Sequence, residues 1–147
     1  NLSMRKVEAA IDIHQPASIV FDAFTNPVSL QKWWGVERCL LEQKQGGLYS
    51  LAWNISKKGI QYISTGVITV FIPVKELLID HLVYFNPEKP ILGPAYLDIK
   101  FREEKGFTSV YLVQGGYQEG KDWDWYYEAV KEAWPKVLVD LKKFLES

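Results

Sequence analysis

The chain has 147 residues, the size of one ordinary domain, and 24% of them are charged, as in a typical globular protein. A formal net charge of -1 disfavours a nucleic-acid partner, because a nucleic-acid-binding domain usually carries a basic face. The single cysteine, Cys39, excludes an intramolecular disulfide, and one cysteine with two distant histidines predicts no metal site.

The amino-terminal part predicts one strand followed by two short helices. Apolar residues alternate through residues 5–13, which is typical of a strand. Pro16 then opens a segment with apolar residues at helical spacing, which ends at Asn26 and Pro27. The next segment, VSLQKWW, predicts a second short helix that ends at Gly35.

The middle of the chain predicts six strands. Its apolar runs are separated by short turn sequences, and short links favour antiparallel pairing of consecutive strands. Bends or bulges are expected at Gly66, Gly115 and Gly116. The predicted strands cover residues 36–43, 47–56, 59–72, 76–85, 95–104 and 107–117.

The carboxyl-terminal part predicts one long amphipathic helix. Asp122 is its expected N-cap, and Asp124 suits the positive end of the helix dipole. Pro135 should kink the helix because it removes a backbone hydrogen bond. The apolar stripe, with a period of about 3.6 residues, consists of Trp123, Tyr127, Val130, Trp134, Val137, Leu138, Leu141 and Leu145.

This order of elements predicts an α+β helix-grip fold. A curved antiparallel sheet of about seven strands should surround the long carboxyl-terminal helix, since only a sheet offers an apolar face large enough to bury the helix stripe. Residues 4–147 are expected to form a single domain, and residues 1–3, which precede the only methionine, are interpreted as an expression remnant. No apolar run predicts a signal peptide or a membrane insertion, so the cytoplasm is the expected location.

Four segments carry a resemblance to a known family. In chain order they are PASIVFDAFTNPVSLQKWWG, QGGLYSL, STGVITVFIPVKELLIDHLVY and AWPKVLVDLKKFLE. They resemble the START-like, birch-pollen-allergen-like superfamily, and within it the homologues of the activator of the heat-shock-ninety chaperone ATPase. The resemblance covers residues 5–146 and implies the helix-grip fold. It also implies three different functions, so the family name alone does not identify one.

The aromatic residues are the main indication of a site. Six Trp, eight Tyr and seven Phe either fill a bulky core or line a cavity, and both alternatives stay open. Apolar walls with a few polar tips are typical of a small-molecule site. The candidate ligand-binding residues are Trp34, Tyr49, Trp53, Tyr62, His81, Ile99, Gln114, Trp123, Tyr127 and Trp134.

Two positions in this set have a specific prediction. Adjacent side chains on a helix point about 100° apart, so Trp34 is expected to face the cavity while Trp33 packs its helix against the sheet edge. If Leu77, Ile79 and His81 share the inward face of their strand, His81 could hydrogen-bond a ligand or act as an acid or base. The alternative is a core or rim histidine satisfied by a neighbour.

Three functional hypotheses follow. The preferred one is a binder of a hydrophobic or aromatic small molecule, such as a lipid, between the sheet and the terminal helix. The second is an interaction module that modulates a heat-shock chaperone in a stress response, which predicts an exposed apolar patch and a closed interior. The third is a cyclase- or hydrolase-type enzyme, which would need His81 near a second polar group. No catalytic motif or cofactor fingerprint is present, so no catalytic residue or cofactor is predicted.

Overall fold

The computed structural model describes residues 4–147, and the interpretation of residues 1–3 therefore lies outside the described part of the chain. The predicted α+β architecture is confirmed, with a curved seven-stranded sheet, a long carboxyl-terminal helix and two short helices after the first strand. The elements are β1 (Lys6–Ile13), α1 (Ala17–Thr25), α2 (Pro27–Trp34), β2 (Arg38–Leu41), β3 (Leu48–Ser56), β4 (Gly59–Ile72), β5 (Glu76–Phe85), β6 (Leu92–Glu104), β7 (Phe107–Gly115) and α3 (Lys121–Glu146).

The sheet is antiparallel throughout. Its strand order is β1-β7-β6-β5-β4-β3-β2, so strands β2 to β7 form a meander and β1 pairs with the last strand. Short connections join the consecutive strands, as the turn sequences predict.

The two short helices are fixed to each other by Trp33. The Asn26 side chain caps α2 by accepting the Val28 N–H at 2.9 Å, and Gly35 ends the helix with a φ of 67°. The Trp33 side chain is 8% exposed, and its indole N–H donates to the Ala23 carbonyl of α1 at 2.8 Å. Trp33 therefore packs its helix, as expected, although its hydrogen bond is to α1.

Helix α3 begins two residues earlier than the sequence predicts, at Lys121. Gly120 is the N-cap, and its carbonyl accepts the Asp124 N–H at 2.8 Å. Asp122 is therefore not the N-cap; it lies in the first turn with Asp124, where both carboxylates suit the helix dipole. The helix continues through Pro135, and it packs against β1 and α2. No helix within residues 4–147 is long and apolar enough to cross a membrane.

The far end of α3 is attached to the junction between β1 and α1. The Glu146 carboxylate accepts the His14 backbone N–H at 2.8 Å and lies 3.1 Å from His14 Nδ1. The Lys142 ammonium also donates to Glu146 at 2.8 Å. These contacts agree with a structural role for His14.

Part of the core packs helix α1 against one end of the curved sheet. Phe21 of α1 contacts Phe71 and Phe101 edge to face, with ring centroids 5.4 and 5.2 Å away. Leu77 of β5 and Ile99 of β6 are fully buried in the same cluster. Helix α1 therefore covers this end of the sheet, whereas the opposite end of β3, β4 and β5 lies beyond its reach.

Irregularities in β4 and β5 change which residues of these strands face the interior. The β4–β5 register shifts at Gly66, as predicted, where an added Cβ would lie 2.7 Å from the Ile79 side chain. The β5–β6 register shifts between Ile79 and Leu82, and His81 has a φ of 53°. Ile79 and Leu82 are both buried while His81 is exposed. The expectation that His81 faces inward is therefore wrong, because the bulge breaks the alternation.

Candidate functional site

A cavity of about 680 Å³ lies between α3 and the part of the sheet that α1 does not cover. The interior is therefore hollow at this end, and the aromatic residues divide between the two alternatives: some line the cavity and others pack in the core. The cavity has apolar walls and a smaller set of polar groups. Its lining residues are Trp34, Tyr49, Leu51, Trp53, Asn54, Tyr62, Ser64, Ile79, Leu82, Tyr84, Asn86, Glu88, Leu97, Gln114, Trp125, Tyr126, Ala129, Val130, Ala133, Trp134 and Val137.

Six of the ten candidate residues line this cavity. They come from α2, β3, β4, β7 and α3, so the fold brings distant parts of the chain together. The expected orientation of Trp34 toward the cavity is confirmed. The six are Trp34, Tyr49, Trp53, Tyr62, Gln114 and Trp134.

The other four candidates lie elsewhere. Ile99 is buried in the core, and His81 is on the exposed side of its strand. Trp123 and Tyr127 pack around Tyr117, with ring centroids 6.2 and 5.3 Å from its ring. They occupy the flank of α3 that turns away from the cavity.

Sequence reasoning missed several lining residues, of which Tyr84 and Tyr126 matter most for the chemistry. Tyr84 follows the bulge at His81, so simple alternation along β5 misplaces it. Tyr126 had a detectable signal, because positions 126, 130, 134 and 137 follow one face of a helix. That face lines the cavity, together with Ala129 and Ala133.

Indole rings form one wall of the cavity. The Trp34 ring lies 5.3 Å from the Trp53 ring and 5.5 Å from the Trp134 ring, measured between centroids. The Trp53 N–H donates to the Trp34 carbonyl at 3.1 Å, and the Trp134 N–H donates to Gln114 Oε1 at 2.8 Å. These two N–H groups are thus used within the protein, and the rings offer apolar surface.

Tyrosine hydroxyls and side-chain amides form the polar part. The Tyr84 and Tyr126 rings stack with centroids 4.8 Å apart. Gln114 Nε2 donates to the Tyr126 hydroxyl at 3.1 Å, and Asn86 Nδ2 donates to the Tyr84 hydroxyl at 3.4 Å. Burial raises the pKa of both hydroxyls, so they stay protonated near neutral pH. The Tyr49 hydroxyl instead donates to the Phe24 carbonyl at 2.7 Å.

Charged groups are nearly absent from the cavity wall. Among the residues that the structure describes, Glu88 is the one charged residue lining it. Lys89 lies beside the mouth, where its ammonium is 4.6 Å from the centre of the Trp125 ring and 3.8 Å from the Asp122 carboxylate. Within residues 4–147, no group of three or more His, Cys, Asp or Glu side chains is arranged to hold a metal ion.

Solved structures share this fold over nearly the whole chain. The solution structure of ChR145 from Cytophaga hutchinsonii is 21% identical, with a TM-score of 0.75, and the match covers 99% of this chain and 96% of that one. Protein MLL2253 from Mesorhizobium loti is 17% identical over 97% of both chains, with a TM-score of 0.77. The Aha1 dimer from Colwellia psychrerythraea is 17% identical over 97% of both chains, with a TM-score of 0.70. At these identities the likeness shows the fold alone.

Family membership is established by the sequence. No curated protein matches the chain. The family model described as "Activator of Hsp90 ATPase homolog 1-like protein" matches residues 14–146, which include all three helices and all strands after β1. The chain therefore belongs to the family of Activator of Hsp90 ATPase homolog 1-like proteins, the branch that its four sequence segments resemble.

Proposed function

We propose that this protein binds a hydrophobic or aromatic small molecule in the cavity between α3 and the sheet, in the cytoplasm. One observation carries the proposal: the cavity has a volume of about 680 Å³ and predominantly apolar walls. Binding sites for small molecules typically have volumes of about 300–1,000 Å³ and a few polar groups among apolar ones. Proteins of this fold family generally bind small hydrophobic ligands, which supports the same function.

The ring surfaces would supply most of the binding energy. Trp34, Trp53 and Trp134 present apolar faces to the cavity, and burial of such faces against a ligand is favourable at roughly 25 cal/mol per Å². Tyr62 and the hydroxyls of Tyr84 and Tyr126 would orient the polar part of the ligand.

The two alternative hypotheses have less support. A chaperone-interaction module is compatible with the fold, but it predicts a closed interior beside its exposed apolar patch and gives no reason for the cavity. An enzyme that uses His81 requires an imidazole inside the cavity, whereas His81 is exposed on the other side of the sheet. The remaining polar groups of the cavity are mainly neutral hydroxyls and amides, which suit binding better than acid–base catalysis.

A ligand screen tests the proposal directly. Native mass spectrometry and thermal-shift measurements against lipids, flavonoids and aromatic polyketides should identify a compound that forms a 1:1 adduct and raises the melting temperature. A ligand present at 100 times its Kd stabilises the folded state by about 2.7 kcal/mol, which such a measurement detects readily. A screen in which no compound forms an adduct or shifts the melting temperature would contradict the proposal.

A further inference from the structure

The orientation of one buried amide follows from the chemistry of its neighbour. The Trp134 indole has an N–H that can donate a hydrogen bond but has no acceptor. Its contact with Gln114 at 2.8 Å therefore identifies the amide oxygen as the atom that faces Trp134. The amide nitrogen of Gln114 must then face the Tyr126 hydroxyl, 3.1 Å away.

This arrangement makes Tyr126 a donor toward the cavity. Gln114 Nε2 can only donate, so the Tyr126 oxygen accepts, and the hydroxyl proton is left for another acceptor. Within residues 4–147 no protein group accepts that proton. The Tyr126 side chain is 4% exposed and lines the cavity. A buried donor without a partner is unfavourable, so an acceptor on a ligand would stabilise this site.

Tyr84 is oriented by a second amide in the same way. The Glu88 backbone N–H donates to Asn86 Oδ1 at 3.0 Å, which fixes the oxygen of the Asn86 amide. Asn86 Nδ2 consequently faces the Tyr84 hydroxyl at 3.4 Å, and this hydroxyl also keeps its proton for another acceptor. The Tyr84 and Tyr126 rings stack with centroids 4.8 Å apart, so the two donors belong to neighbouring side chains of the cavity wall.

The charge of the wall disfavours anions. Among the described lining residues there is no lysine, arginine or histidine to pair with a carboxylate, and Glu88 would repel one. The nearby Lys89 is already engaged with Asp122 and the Trp125 ring. A fatty acid would therefore have to bury its charge without a partner, which is costly.

We propose that the cavity selects flat, neutral, aromatic ligands that carry a carbonyl oxygen, with Tyr126 and Tyr84 as the hydrogen-bond donors to that oxygen. This inference rests on the proposed binding function and specifies its ligand class. It distinguishes aromatic ketones and quinones from pure hydrocarbons and from fatty acids.

Two matched probes test the donor role. 9-Fluorenone and fluorene are both flat and neutral, and they differ in the carbonyl group. Isothermal titration calorimetry should give a Kd for 9-fluorenone roughly three- to tenfold lower than that for fluorene, as one or two neutral hydrogen bonds predict. Oleate, the anionic probe, should bind more weakly than 9-fluorenone.

Tyrosine variants test whether the preference for 9-fluorenone over fluorene comes from the hydroxyls in the cavity. Tyr126→Phe should narrow the gap between the two Kd values, and the further change Tyr84→Phe should close it, while the Kd for fluorene stays unchanged in both variants. Tyr117→Phe is the matched control, because Tyr117 is fully buried, its hydroxyl has no partner in the described residues, and it does not line the cavity. This control should keep the preference for 9-fluorenone.

The outcomes separate this inference from the proposed function. Equal affinities of the wild-type protein for fluorene and 9-fluorenone, or tighter binding of oleate, would overturn the ligand class and leave the binding function intact. Binding confined to compounds without an acceptor oxygen would likewise overturn the ligand class alone. If no compound binds at all, both the ligand class and the binding function are overturned. If Tyr126→Phe does not fold, the infrared carbonyl band of 9-fluorenone bound to the wild type decides. If this band lies at a lower wavenumber than in hexane, the carbonyl accepts a hydrogen bond, which supports the donor role of the tyrosines. A band at the same wavenumber as in hexane overturns that role.

Discussion

Trp33 and Trp34 are consecutive residues, yet their rings stack with centroids 5.1 Å apart and planes inclined by 15°. The two rings have different surroundings despite this contact. Trp33 is buried against Ala23 and Phe24, whereas Trp34 is half-buried and lines the cavity. Stacking thus couples a residue that holds α2 in place to a residue of the candidate site.

This difference predicts separate effects of two substitutions. Trp33→Ala should lower the free energy of unfolding by roughly 3–5 kcal/mol, because it removes a buried ring and its hydrogen bond. Trp34→Ala should lower it less and chiefly weaken ligand binding. Urea denaturation gives the first quantity, and calorimetry with 9-fluorenone gives the second. Equal stability losses without a change in binding would contradict the assignment.

Blocking the cavity should abolish binding without unfolding the protein. Ala133 lines the cavity from α3 and is exposed, so the ring of an Ala133→Phe variant can occupy empty space. We expect the Kd of a ligand from the screen to rise at least about tenfold, equivalent to about 1.4 kcal/mol. Val139→Phe is the control, because Val139 is 43% exposed on the same helix and does not line the cavity. If both variants weaken binding equally, the ligand occupies another place.

The bulge at His81 can be tested through backbone conformation. A φ of 53° is unfavourable for a β-branched residue and is tolerated by asparagine. His81→Val should therefore destabilise the protein by about 1–2 kcal/mol, whereas His81→Asn should change stability little. Both variants should bind ligand as the wild type does, because His81 lies outside the cavity. A loss of binding in the stably folded His81→Asn variant would restore a role for the imidazole.

Asp98 predicts a pH dependence of stability. Burial, and after it the neighbouring Glu76 carboxylate, raises the pKa of Asp98 from 3.8 to about 6. Between those two pH values the folded state binds the Asp98 proton more tightly than the unfolded state does. The free energy of unfolding should therefore fall as the pH rises through this window.

Replacing this carboxyl should remove that part of the pH profile. We expect Asp98→Asn to raise the urea midpoint at pH 7 and to leave it nearly unchanged at pH 4. The exposed Asp12 of β1 offers a control, since Asp12→Asn should not produce this pattern. A lower midpoint for Asp98→Asn at pH 7 would show that the carboxylate is stabilising instead.

Turn chemistry made much of the fold predictable. The bounds of β4 and β5 were predicted as residues 59–72 and 76–85, which is where they lie, because SKKG and PVK separate continuous apolar runs. The start of β6 was predicted at residue 95, whereas the strand begins at Leu92. Gly93 and Pro94 are typical of a connector, but Leu92 pairs with Tyr84 across the sheet. Pairing with β5 therefore extends β6 through a Gly-Pro sequence that by itself favours a turn.

The site was predictable only where alternation or helical spacing holds. Trp53 and Tyr62 line the cavity as predicted, since the two residues pair directly across β3 and β4 and no register shift separates them. His81 lies in a bulge and Tyr84 follows it, and the position of a bulge depends on pairing with the neighbouring strands. The prediction for α3 took the apolar stripe as one surface. In the structure, Tyr127 lies on one flank of that stripe and Tyr126 on the other.

The contacts among indoles around Trp34 have a spectroscopic consequence. Trp33, Trp53 and Trp134 all have ring centroids within 5.5 Å of the Trp34 ring. Chromophores this close exchange excitation energy, so their near-ultraviolet circular dichroism and emission depend on mutual geometry. A molecule in the cavity would touch three of these four rings. The protein thus carries its own optical reporter of occupancy, without an attached dye.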